Sequence, residues 1–121
     1  MKREVKDFEI SFFEKLVKDN PNYVDALIPL AEAYTKAGFY EKGLQMDKRL
    51  VKLRKNDPTV HYNLACSLAL SEKKDEAIAA LEKAIELGYH DFDHLKRDPD
   101  LKELYNDPRF KLLMIKKVDK P

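Results

Sequence analysis

The chain has one cysteine among its 121 residues, Cys66, so neither an internal disulfide nor a cysteine-rich zinc staple holds its fold. It also lacks a net field, because 23 lysines and arginines stand against 22 aspartates and glutamates, a formal charge of +1. That balance argues against nucleic acid and against an anionic membrane as partners. Long apolar runs are missing, and no segment approaches the length of a membrane span. The opening MKREVKDFEISFF puts Lys6, Asp7 and Glu9 where a signal peptide needs an uninterrupted apolar core. A cytoplasmic protein is the expectation. No stretch alternates polar and apolar residues for long enough to make a strand, which leaves an all-α chain.

Helical punctuation fills the space these absences leave. At 44% hydrophobic residues the chain has enough apolar surface for one modest domain. Asp57-Pro58, Asp98-Pro99 and Asp107-Pro108 each read as a helix start: the carboxylate accepts from free first-turn amides, and proline lacks an N–H that would be orphaned there. Asn20-Pro21 closes one helix and leads into the next. Gly38 and Gly88 follow periodic stretches and read as helix ends, where a left-handed residue is needed. These marks predict helices over Val5 to Lys18, Tyr23 to Ala37, Tyr40 to Lys55, Thr59 to Ser71, Asp75 to Leu87 and Arg109 to Lys117, with a short one around Pro99 to Tyr105. Pro29 interrupts the second, and its ring would crowd the Asp25 carbonyl, so a kink or a later start is expected there.

The chain also overlays on itself. Leu27, Leu30, Ala31 and Tyr34 recur as His61, Leu64, Ala65 and Leu68, and Tyr40, Gly43 and Leu44 recur as Lys74, Ala77 and Ile78. The shift is thirty-four residues throughout, a period of helix-hairpin repeats. Ala31 with Gly43, and Ala65 with Ala77 and Ala84, sit where two antiparallel helices must approach closely. Glycine inside a helix costs about 1 kcal/mol relative to alanine, so Gly43 implies that bulk at that crossing would cost more.

With this register, YVDALIPLAEAYTKAGFYEKGL and VHYNLACSLALSEKKDEAIAALEKAIELG resemble two full tetratricopeptide repeats. DFDHLKRDPDLKELYNDPRFKLL is similar to the closing segment that follows the last repeat in many proteins of that family. The organisation expected is a single domain: a half repeat or N-terminal cap over 5–21, repeats over 22–57 and 58–89, a capping segment over 90–117 with anchors from Phe92 to Leu113, and a tail over 118–121. Asp47, Leu50 and Glu72 depart from the family pattern. A buried Asp47 needs a partner, for which His61 is a candidate. The resemblance implies a right-handed superhelix of helix pairs whose first helices line a concave face that binds proteins or peptides without chemistry. On that implied face stand Asp25, Ile28, Glu32, Thr35, Thr59, Tyr62, Asn63, Cys66 and Ala69. Asn63 matches one position of the family's clamp for chaperone C-terminal carboxylates. Ile28, Glu32 and Asp93 stand where that clamp needs lysine or asparagine, and an apolar or mixed ligand fits better.

Two constellations invite a chemical reading. HYNLACSLAL gathers His61, Tyr62 and Cys66, but Cys66 is mid-helix and His61 points to another face, so the thiol lacks the base and oxyanion site a nucleophile needs. In HDFDH, His90 and His94 would make an i, i+4 metal pair if the segment were helical, yet no third ligand with specific spacing accompanies them. No catalytic residue, metal or cofactor is therefore assigned. The expected function is an interaction module for an unidentified protein or peptide. The alternative is a structural repeat domain whose groove is filled by its own chain or by a second copy, as in a homodimer.

Overall fold

The computed structural model describes the backbone of residues 2–119 and the side chains of residues 8–115. Every regular element among them is helical, and none is long and apolar enough to cross a membrane. The chain divides into two compact units, Met1–Lys55 and Asn56–Pro121. The expected tail, 118–121, lies partly outside the described residues.

The first unit contains α1 (Lys2–Asp19), α2 (Val24–Lys36) and α3 (Tyr40–Leu53). α2 packs against both neighbours, and its buried stripe is Ala26, Leu27, Leu30, Ala31, Ala33 and Tyr34. Ile10 and Val17 are the buried residues of α1, and Gly43, Leu44, Asp47 and Leu50 those of α3. Tyr34 donates its hydroxyl to Glu14 Oε2 at 2.5 Å, tying α2 to α1. The small residue at the α2–α3 crossing is required: a Cβ on Gly43 would stand 2.8 Å from Thr35 Oγ1 and 3.4 Å from the Ala31 carbonyl oxygen. Pro29 lies inside α2, which is assigned as one continuous helix; the start moves by one residue from that predicted.

The second unit contains α4 (Pro58–Leu70), α5 (Lys74–Glu86), α6 (Phe92–Arg97), a 3-10 helix (Pro99–Leu104) and α7 (Pro108–Asp119). α4 and α5 form an antiparallel hairpin whose crossing residues Ala65, Ala77 and Ala84 are fully buried. The 3-10 helix lies across α4, and α7 packs on α5. Phe92, Leu95, Leu101, Leu104 and Phe110 are the buried anchors of this closing segment. Of the other expected anchors, Tyr105 and Leu113 are half-buried and Leu112 is 52% exposed.

The punctuation acts as its chemistry dictates. Asp57 Oδ1 accepts from the Thr59 and Val60 amides, Asp98 Oδ1 from Asp100, and Asp107 Oδ1 from Arg109. Each proline follows as the first helical residue. Helices α2, α4 and α5 end with one pair of closing bonds: Gly38 N–H to Thr35 O and Phe39 N–H to Tyr34 O, then Glu72 to Ala69 and Lys73 to Leu68, then Gly88 to Ile85 and Tyr89 to Ala84. The turn needs a positive φ. Gly38 (85°) and Gly88 (115°) supply it readily, whereas Glu72 supplies it at 62° with a side chain attached.

Candidate functional site

Within the first unit, the predicted surface residues of α2 separate into two groups. Asp25 and Glu32 are exposed and Ile28 is half-buried, so an apolar side chain stands between two carboxylates on one helix face. Thr35 is turned to the α3 crossing, where its hydroxyl donates to the Ala31 carbonyl at 3.0 Å and abuts Gly43. A depression of about 360 Å³ on the same unit is lined by Val17, Leu30, Tyr34 and Met46, with Lys18 and Arg49 among its polar members. The repeat register carried no signal for it, because α1, α2 and α3 all contribute.

Within the second unit, Thr59 is exposed and Asn63 half-buried, while Tyr62, Cys66 and Ala69 are 4%, 7% and 1% exposed. The side of α4 that carries Tyr62 and Cys66 is joined to the unit's own closing segment through one carboxylate. Asp98, 7% exposed, accepts at Oδ2 from the Tyr62 hydroxyl at 2.5 Å and from the Cys66 thiol at 3.7 Å, and His94 Nε2 lies 3.2 Å from the same oxygen. Its backbone carbonyl accepts from the Tyr105 hydroxyl at 2.6 Å. Tyr62 also stacks face to face on Tyr89, ring centroids 4.3 Å apart. One residue thus caps the 3-10 helix and ties it to α4. Its partners lie up to 36 residues away, so Asp98-Pro99 signalled the cap and nothing signalled the cluster.

The electrostatics follow from that crowding. Burial, then the charges of Asp98 and Asp100, push the Cys66 thiol well above its ordinary range. Burial is also the first cause that raises the Tyr62 hydroxyl. Asp100 is raised by burial and by Asp98, with His94 opposing. Cys66 is accordingly held as a protonated thiol at neutral pH, the reverse of an activated nucleophile. Asp98 therefore supplies the environment of Tyr62 and Cys66, which is a contact between α4 and the closing segment. His90 and His94 are not on one helical turn, because α6 begins at Phe92. His90 Nδ1 lies 3.0 Å from the Gly88 carbonyl, while His94 turns to Asp98.

A chain of antiparallel helix hairpins with small residues at each crossing and a helical closing segment defines an α-helical repeat protein. Residues 58–91, spanning α4, α5 and the turn after them, match the family model of the tetratricopeptide repeat. A chloroplastic protein of Arabidopsis thaliana is 31% identical over 87 residues, which is 67% of this chain and 25% of that protein. The chain therefore spans about a quarter of the length of that relative. The chain thus carries a tetratricopeptide repeat. Repeats of this family are in general non-catalytic protein-interaction units.

Proposed function

We propose that this chain is a non-catalytic adaptor that binds a protein segment carrying basic and apolar side chains along α2. The observation that carries this reading is the solvent-accessible row Asp25, Ile28 and Glu32. Two carboxylates seven residues apart with an apolar contact between them complement a cationic, amphipathic ligand and repel an acidic tail. On α4 of the second unit, taken by itself, Thr59 is exposed and Asn63 half-buried. Tyr62 and Cys66 bond instead to Asp98 of the closing segment, which supports the idea that this part of the groove is occupied by the chain itself.

Fluorescence anisotropy with labelled basic-amphipathic and acidic peptides tests the proposal. The basic set is expected to bind, with an affinity that falls as salt rises and falls further by roughly tenfold in Glu32→Lys, the scale of one lost charge contact. Equal binding of both sets, or an affinity indifferent to Glu32→Lys, would overturn it. A cytoplasmic setting and freedom from nucleic-acid and membrane partners are part of the same proposal.

A further inference from the structure

The second unit collects three metal-type donors where its closing segment meets α4, with a histidine beside one of them. Cys66 Sγ, a carboxylate oxygen of Asp98 and one of Asp100 all lie within 4.8 Å of one another. His94 Nε2 is 3.2 Å from Asp98 Oδ2. We propose that Cys66, His94, Asp98 and Asp100 form a binding site for one divalent cation of zinc type.

Three features of the geometry point to a cation. The donor set of thiolate, imidazole and two carboxylates is the mixed soft and hard set that zinc accepts in a tetrahedral site, with bonds of about 2.0–2.3 Å. Cys66 Sγ and His94 Nε2 stand 3.7 Å and 3.2 Å from Asp98 Oδ2, near the ligand-to-ligand distance of a tetrahedron with such bonds, about 1.6 bond lengths; rotation of the exposed His94 ring toward Cys66 and Asp100 would complete the set.

The central carboxylate is also already oriented. Asp98 Oδ1 accepts from the Asp100 amide and Oδ2 from the Tyr62 hydroxyl. Such outer hydrogen bonds fix a ligating carboxylate in good metal sites.

The charge balance is negative. Two carboxylates, one buried and one half-buried, meet a buried thiol, and His94 is paired with one of them, Asp98. A divalent ion would offset that crowding and stabilise the thiolate, releasing the thiol proton to solvent on binding.

Bound metal would pin the closing segment to the second repeat, because Cys66 comes from α4 while His94, Asp98 and Asp100 come from the segment beyond α5. The site is independent of the peptide surface proposed for α2.

The single cysteine makes the test direct. The full chain, freed of metal with a chelator, is titrated with Co²⁺ and with Zn²⁺. One equivalent of cobalt is expected to give thiolate-to-cobalt charge-transfer absorption, which only Cys66 can supply, and excess zinc is expected to raise the melting temperature. Cys66→Ser should abolish the absorption while far-ultraviolet circular dichroism stays helical. Asp100→Asn, a near-isosteric change at a half-buried position, should retain the fold and weaken zinc binding about 10- to 100-fold. Absence of the charge-transfer band at stoichiometric cobalt would overturn the proposal. So would a zinc-induced rise in melting temperature that survives both variants, since that is an adventitious ion only.

Discussion

At the scale of the residue, Asp98 sets the character of the second unit. Removing its carboxylate leaves the buried Tyr62 hydroxyl without its acceptor, which costs about 1–3 kcal/mol. Asp98→Ala should therefore lower stability by at least that amount in metal-free buffer. Tyr62→Phe combined with it should recover part of the loss, a coupling of about 0.5–3 kcal/mol in a denaturation double-mutant cycle. Asp100 works in the opposite sense. Its folded-state pKa is raised, so its contribution is complete below the ordinary carboxylate range and is lost as pH rises through the folded value. Asp100→Asn should consequently stabilise the metal-free chain at pH 7, with the gain shrinking as pH is lowered, when melting temperatures are compared across pH. Glu72 is a third case. A non-glycine residue in the left-handed region carries about 1–2 kcal/mol of strain, against about 0.4–1 kcal/mol of unfolded-state entropy that glycine adds. Glu72→Gly should raise stability by about 0.5–1 kcal/mol, read from the midpoint of a urea melt.

At the scale of the element, what was legible in the sequence was what depends on neighbours a few positions away. Asp57, Asp98 and Asp107 cap the helices they precede because cap and amide are two or three residues apart. Gly38 and Gly88 close helices for a similarly local reason. Gly43 was legible through its cost, and the contact that explains it, Thr35 Oγ1, sits on the adjacent helix at a fixed repeat offset. Gly43→Ala should destabilise despite its better helix propensity, by about 1–2 kcal/mol, and Thr35→Ala in the same chain should return most of it, as a thermal melt would show. The surface set on α4 was different. Helical periodicity placed Tyr62, Cys66 and Ala69 on one side of the helix, but the carboxylate that joins Tyr62 and Cys66 is contributed from 32 or more residues downstream. A helix wheel carries no information about a segment that folds back over it. α6 was likewise absent from the predicted helices, because a six-residue helix is too short to display a period.

At the scale of the whole molecule, one arginine joins two elements of the second unit and gives acid a particular pair to act on. Arg109 of α7 joins Asp75 at the start of α5 at 2.9 Å and Asp107 at 2.8 Å. Hydrogen bonds from Arg109 hold the Asp107 carboxyl down to about 2. A depressed acid stabilises above its unfolded pKa and loses that contribution as pH falls through the folded value. Helicity should therefore decline between about pH 4 and pH 2, and Arg109→Ala should flatten that part of the profile in circular dichroism.

The span of the Tyr62–Asp98 bond also sets an order of events in time. Synthesis adds about 5–20 residues per second, and the tyrosine and its carboxylate are separated by 36 positions. For about 2–7 seconds after Tyr62 is made, its partner does not yet exist. The α4–α5 hairpin is complete in sequence once Glu86 is made, held by the close approach of Ala65, Ala77 and Ala84, and its flank waits for the carboxylate still to come. A released chain that ended before Asp98 would leave that flank, tyrosine and thiol included, without its cover.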